Sequence, residues 1–163
     1  MKTLLQAGSL LLLLILGACS GKDTFQYQGP RYAPVEQVRT VFQPTQLEDR
    51  CRLFAHLLVY LPAGLDGQGI RSAIESEAGR RGADTLLIGQ SRQGEKDIGL
   101  QFHYYGPDQE YACRERWNGW KFGYEAWGEQ GDWVNIGYRE WGNREIVFDY
   151  PVVMQAAFLR CRD

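Results

Sequence analysis

Three features of this 163-residue chain predict an α+β domain. A long apolar run, Cys51 to Leu61, is followed by a segment of helical period and then by a second apolar run at residues 83–88. That order of strand, helix, strand calls for a right-handed crossover between parallel strands. Residues 100–150 are different material: they hold all five tryptophans among many glycines and read as short strands joined by turns. The expected architecture is a small mixed sheet with one crossover helix, extended by an aromatic-rich antiparallel β-meander.

The domain is expected to span residues 32–163, starting near Tyr32-Ala33-Pro34. Val38 and Thr40 alternate with Arg39, and Val41-Phe42 follow, giving a short strand closed by Pro44. The run from Cys51 to Leu61 is rich in Val and aromatic residues and stops at Pro62, the pattern of a strand buried on both faces. The helix comes next. Asp66 is placed to cap it, and Ile70, Ala73, Ile74 and Ala78 form its apolar stripe, with Glu77 on the same face. Arg80 and Arg81 suit the negative end of the helix dipole, and Gly82 suits the left-handed position just past the end. Residues 83–88 re-enter the core as a strand, and Val152 to Leu159 form the last one.

Within residues 100–150 the string Gly-Tyr-x-x-Trp-Gly occurs twice, at Gly123–Gly128 and fourteen residues later at Gly137–Gly142. Two units are too few for a solenoid. Alternation predicts one apolar face from Trp120, Phe122 and Tyr124, then Val134, Ile136 and Tyr138, then Ile146, Phe148 and Tyr150. Trp127, Trp133 and Trp141 then fall on the opposite face or its margins. These three are the candidate partner-binding residues, because an indole offers flat apolar area with an N–H donor. The competing reading is that the tryptophans cover neighbouring glycines and pack inward.

The N-terminus points to export. Lys2 precedes an unbroken apolar run from Leu10 to Leu16 that ends in small residues, the form of a secretory signal over residues 1–18. The run is shorter than the roughly 20 residues of a membrane-spanning helix. Leu16-Gly17-Ala18-Cys19 resembles a bacterial lipobox. The resemblance implies cleavage before Cys19, a diacylglycerol on its thiol and acylation of its new amino group. Ser20, rather than Asp, follows that Cys, which by the enterobacterial sorting rule implies the outer membrane. An ordinary signal peptide, with Cys19 incidental, is the alternative. Residues 19–31 hold two Gly and one Pro without period and are expected to be a tether.

Charge and cysteine count narrow the classes further. Without Lys2 the chain carries 17 basic and 20 acidic residues, net −3, and no basic stripe suggests nucleic acid. Beyond Cys19 there are Cys51, Cys113 and Cys161. In an oxidising compartment three thiols form at most one internal bridge. Cys51 begins the long core strand and Cys161 ends the last one, so antiparallel pairing of those strands would join them and leave Cys113 reduced.

Chemistry-bearing motifs are sparse. His56 and His103 have no metal-ligand spacing, the three cysteines lack the close pairs of a zinc site, and no cofactor motif stands out. Gly89-Gln-Ser91-Arg-Gln-Gly94 misses the nucleophile-elbow spacing by one residue and is read as a loop.

The Tyr32-x-Pro34 start, the Val-Phe strand ending at Pro44, the Ile70, Ala73 and Ala78 stripe, and Gly82-Ala83-Asp84 before Leu86-Leu87-Ile88 together resemble a family. It is the group of small proteobacterial envelope lipoproteins that includes the outer-membrane stress sensor of the Rcs phosphorelay. The resemblance covers about residues 32–92. That sensor carries two disulfides in its folded domain and a proline-rich linker, and this chain matches neither. The resemblance bears on the fold; the chain as a whole is expected to be a non-catalytic binding or sensing lipoprotein at the periplasmic face of the outer membrane. Its partners would be the bilayer, through acylated Cys19, and an envelope protein or glycan. A carboxylate-based envelope hydrolase and a structural subunit of an envelope assembly are the alternatives.

Overall fold

The computed structural model describes residues 25–162. The expected signal peptide, the lipidation site Cys19 and the first part of the tether lie outside the described residues.

The fold is α+β, built on one mixed sheet. Its main strands are β1 (Arg39–Val41), β2 (Arg52–Leu61), β4 (Thr85–Gln93), β5 (Gln101–Tyr104) and β9 (Val152–Arg160), in the spatial order β1-β4-β9-β2-β5. β1 runs parallel to β4, and the remaining pairings are antiparallel. Two short strands extend the edges: β6 (Tyr111–Ala112) beside β2, and β7 (Trp133–Val134) beside β4. A separate two-stranded piece joins β3 (Leu65–Asp66) to β8 (Val147–Phe148).

β2 and β4 are parallel to each other but not neighbours, since β9 lies between them and pairs with both. The crossover from β2 to β4 is α1 (Gly67–Arg80). Asp66 caps it as expected, accepting the Gly69 N–H at 2.6 Å. Ile70, Ile74, Glu77 and Ala78 are its buried residues along the predicted stripe. Gly82 follows the last turn with φ +82°, a conformation that L side chains seldom adopt. The helix lays Ile70, Ile74 and Ala78 on one face of the sheet, against Phe54, Leu57, Leu86, Ile88, Met154 and Phe158.

β2, β9 and the first half of β4 are largely apolar on both faces, so the second face also needs a cover. The aromatic segment supplies it, and this corrects the expected meander. Residues 105–150 do not form three paired strands. They contain α2 (Cys113–Arg116), α3 (Tyr124–Gly128), turns, and the two-residue strands β6, β7 and β8, which pair with β2, β4 and β3 rather than with one another. Trp120 lies on Gly89 of β4 so closely that a Cβ there would sit 2.5 Å from the indole. Phe122 stacks on His56 of β2 at 4.5 Å, and Trp127 packs with Leu58 and Val153. The stretch from Gly89 to Gln93, expected as a loop, belongs to β4, which continues past a register shift to reach β7.

The tether also differs from expectation. Residues 25–31 lie against the domain. Tyr27 packs into the main core beside Phe54 and Tyr104, and the Phe25 carbonyl accepts the Tyr104 N–H at 2.9 Å on the outer edge of β5. The cause is local: β5 is an edge strand whose Tyr104 amide is left for the Phe25 carbonyl, and Tyr27 and Tyr32 gain burial against Phe54.

Cys51 and Cys161 are joined, as the antiparallel pairing of β2 and β9 requires. Cys113 is free and buried in the same apolar cluster, with its N–H donating to the Cys51 carbonyl at 3.0 Å. Burial pushes the Cys113 thiol up to about 11, so at neutral pH it is protonated and unreactive. Non-reducing peptide mapping is expected to recover the Cys51–Cys161 peptide, and native protein to leave Cys113 unalkylated. Replacing the pair by serine is expected to cost about 2–5 kcal/mol in denaturant unfolding. A bridge containing Cys113 would overturn the assignment.

Candidate interaction surfaces

The three predicted tryptophans do not form one surface. Trp127 is only 5% exposed and sits between α3 and the sheet, so it is corrected from a partner-binding residue to a core residue. Trp133, at β7, is 64% exposed. Trp141 is half-buried, packed edge-on against Phe42 at 5.9 Å, with its Nε1 buried and lacking a partner among the described residues.

The repeat shows the same contrast twice, with Trp127 and Trp141 turned in and Tyr124 and Tyr138 left out. In the first copy the Trp127 N–H donates to the Gly123 carbonyl at 2.8 Å, and in the second the Trp141 N–H donates to the Gly137 carbonyl at 2.9 Å. Each copy is therefore a single helical turn that begins at glycine. In each turn the tryptophan points inward and the tyrosine stays out: Tyr124 is 72% exposed and Tyr138 is 65% exposed.

Trp133 is the one of the three predicted residues left largely exposed, and it is braced from behind. Its ring stands edge-on to Trp127, with centroids 6.0 Å apart. The Arg92 guanidinium lies 5.3 Å from the Trp133 centroid and 5.8 Å from that of Trp127. Arg92 is itself fixed, donating to the carbonyls of Gly131 at 2.7 Å and Trp127 at 3.0 Å. The result is a rigid exposed indole beside a fixed cation, which lowers the entropy cost of docking.

At the other edge of the sheet a cleft of about 710 Å³ opens beside Phe25, Tyr27, Leu100 and Tyr104, with Glu77 and Arg81 in its lining. Glu77 is buried and fully engaged. Its carboxylate accepts from the Tyr104 hydroxyl at 2.6 Å and the Arg81 Nε at 2.8 Å, and pairs with Arg80. Burial opposes its ionisation, but the Tyr104 hydroxyl and the two guanidiniums outweigh it and hold the carboxyl below its ordinary range. Such a group is an acceptor that ties α1 to β5, not a proton donor for hydrolysis. Arg81 also lies over the Tyr27 ring at 4.8 Å and the Tyr104 ring at 5.4 Å, locking the N-terminal segment to the helix end.

Sequence reasoning passed over His56 as a site, and the structure makes it a structural residue. Its Nε2 meets the Tyr111 hydroxyl at 2.9 Å, and its ring lies between Phe122, Tyr111 and Trp117. Burial pushes the imidazole down to about 4. Among the described residues no group of His, Cys, Asp and Glu is arranged to hold a metal. No family model, no curated protein and no solved structure matches the chain.

Two expectations follow. Trp127→Ala is expected to cost roughly 3–5 kcal/mol in urea unfolding, and Trp133→Ala about 0.5–1 kcal/mol. Because folded His56 stays neutral to about pH 4 while the unfolded imidazole protonates near 6.5, its share of stability is lost as pH falls through that window. His103 is lowered in the same direction by burial, so it adds to the slope. Unfolding curves at pH 7, 5.5 and 4.5 should show a shallower decline for His56→Gln than for the wild type.

Proposed function

We propose that this chain is a lipid-anchored protein of a bacterial envelope. It binds or senses another envelope component through the braced indole of Trp133. The observation that carries the reading is the contrast at β7: a large apolar ring left 64% exposed although Trp127 and Arg92 hold it rigidly. Core packing does not require that exposure, and buried aromatics beside arginine are the usual energetic centres of interfaces. The anchor rests on Leu16-Gly17-Ala18-Cys19, and the outer membrane on Ser20. The Cys51–Cys161 bridge supports an oxidising compartment such as the periplasm.

The mechanism is presentation. Acyl chains on Cys19 hold the protein at a surface, and a domain of fixed shape offers Trp133 to a protein or glycan partner. Stacking on a sugar face and insertion into a protein pocket both suit an indole with a free edge.

Metabolic labelling with a fatty acid is expected to mark the wild type and not Cys19→Ser, which should accumulate as precursor or as soluble product. Labelling that persists in Cys19→Ser would overturn the anchor. Purified acylated protein is expected to lose at least tenfold in affinity for its glycan or envelope partner on Trp133→Ala, with unfolding midpoint nearly unchanged. Equal capture by wild type and variant would remove Trp133 from the function.

A further inference from the structure

We infer that the domain rests on the bilayer through a second contact of its own, an apolar rim formed by Phe25, Ile98, Leu100 and Tyr124 at the β5 edge. The inference builds on the acylation of Cys19 proposed above, and it adds an orientation that acylation alone does not give.

The rim is made by two rigid pieces that meet at Phe25. One is the turn before β5. Asp97 fixes it by accepting the Ala63 N–H at 3.1 Å and the Gly99 N–H at 3.0 Å, and the Gln101 side chain donates to the Ile98 carbonyl at 2.9 Å. The turn holds Ile98 and Leu100 exposed on either side of Gly99. The other piece is the start of α3, where Tyr124 projects outward. Phe25 and Leu100 line one cleft, and Phe25 and Tyr124 line another, so Phe25 stands between the two pieces.

What covers the rim is set by the chain length before it. Phe25 is held in place by the Tyr104 N–H and by stacking on His103 at 4.5 Å. Only six peptide links separate it from Cys19. At about 3.3–3.6 Å per residue they span at most roughly 20 Å, less than the thickness of the domain's own sheet and covering layers. Had residues 25–31 been a free tether, the domain could have stood well away from the lipid. Docked as they are, the Phe25 edge is the part of the domain nearest the anchor. Exposed Phe, Ile, Leu and Tyr side chains on a fixed edge suit the headgroup–acyl boundary, where apolar residues bury and a tyrosine keeps its hydroxyl wet.

The test uses the full acylated chain in vesicles of phosphatidylethanolamine and phosphatidylglycerol. An environment-sensitive fluorophore is placed at Leu100→Cys or Tyr124→Cys, and at Asn135→Cys near the opposite edge as reference. Buried Cys113 stays unlabelled in native protein. Spin-labelled lipid with the quencher near the top of the acyl chain is expected to lower emission at positions 100 and 124 at least twofold and to leave 135 unchanged. Co-flotation with equal quenching at all three positions would overturn the rim contact while leaving the anchor standing. Shielding of position 100 that grows with protein density but not with quencher would assign the rim to a second copy of this chain and also overturn it. Absence of acyl label and of flotation would overturn the anchor reading, and the rim contact with it.

Discussion

The fold depends on the last strand. β9 is buried along nearly its whole length and pairs with β2 on one side and β4 on the other, so the sheet has no centre until the C-terminal residues arrive. Its far end is pinned twice. The Cys51–Cys161 bridge ties it to the start of β2. The buried carboxylate of Asp84 accepts the N–H groups of Cys161 and Arg162, each at 2.9 Å, while the Asp84 carbonyl accepts the Arg39 N–H that begins β1. One residue at the entry to β4 therefore aligns the first, fourth and ninth strands. These contacts are far apart in sequence, with the bridged cysteines 110 positions apart, so loop-closure entropy opposes them and the bridge offsets part of it.

A central strand that is apolar on both faces forces two covering layers. α1 covers one face, and it was legible because its signals are local: Asp66 at the cap, the stripe at Ile70, Ile74 and Ala78, and Gly82 past the end. β2 and β9 were legible as well, because a run buried on both faces needs no alternation to be recognised. β1 was short but bounded by Pro44. The bridge was legible because it follows from which strands are longest and where the cysteines stand on them.

The second cover was not legible, for a physical reason. Residues 105–150 alternate apolar and polar residues over short windows, which reads as strand, yet their partner is a preformed sheet face rather than each other. The repeat carried a signal that the alternation hid. In Gly-Tyr-x-x-Trp-Gly the tryptophan stands four residues after the first glycine and three after the tyrosine, the spacing of one helical turn rather than of a strand. Gly123, at φ +60°, allows the chain to enter such a turn while its Cα lies close against Tyr105 and Leu58. In both copies the tryptophan is the more buried ring and the tyrosine the exposed one, while Trp133 belongs to neither copy and stays at the surface. Of three tryptophans chosen for their apparent face, one is left as a surface residue.

The register across the sheet connects the two proposed surfaces. Gln101 pairs with Tyr60, Tyr60 with Val153, Val153 with Arg92, and Arg92 with Trp133. That row crosses five strands, so the β5 edge and Trp133 stand about 19 Å apart at the usual spacing of roughly 4.8 Å per strand. Directly opposed residues share a face, which is why Arg92 lies beside the Trp133 ring and why α3 can reach both ends of the row, with Tyr124 near Phe25 and Trp127 against Trp133. With the β5 edge at the lipid, Trp133 lies at the other end of that row, in a body too rigid to fold it back. On the proposed reading, anchor and indole would have separate tasks along one axis of the sheet. A partner that met Trp133 would approach from the aqueous side without displacing the domain from its membrane.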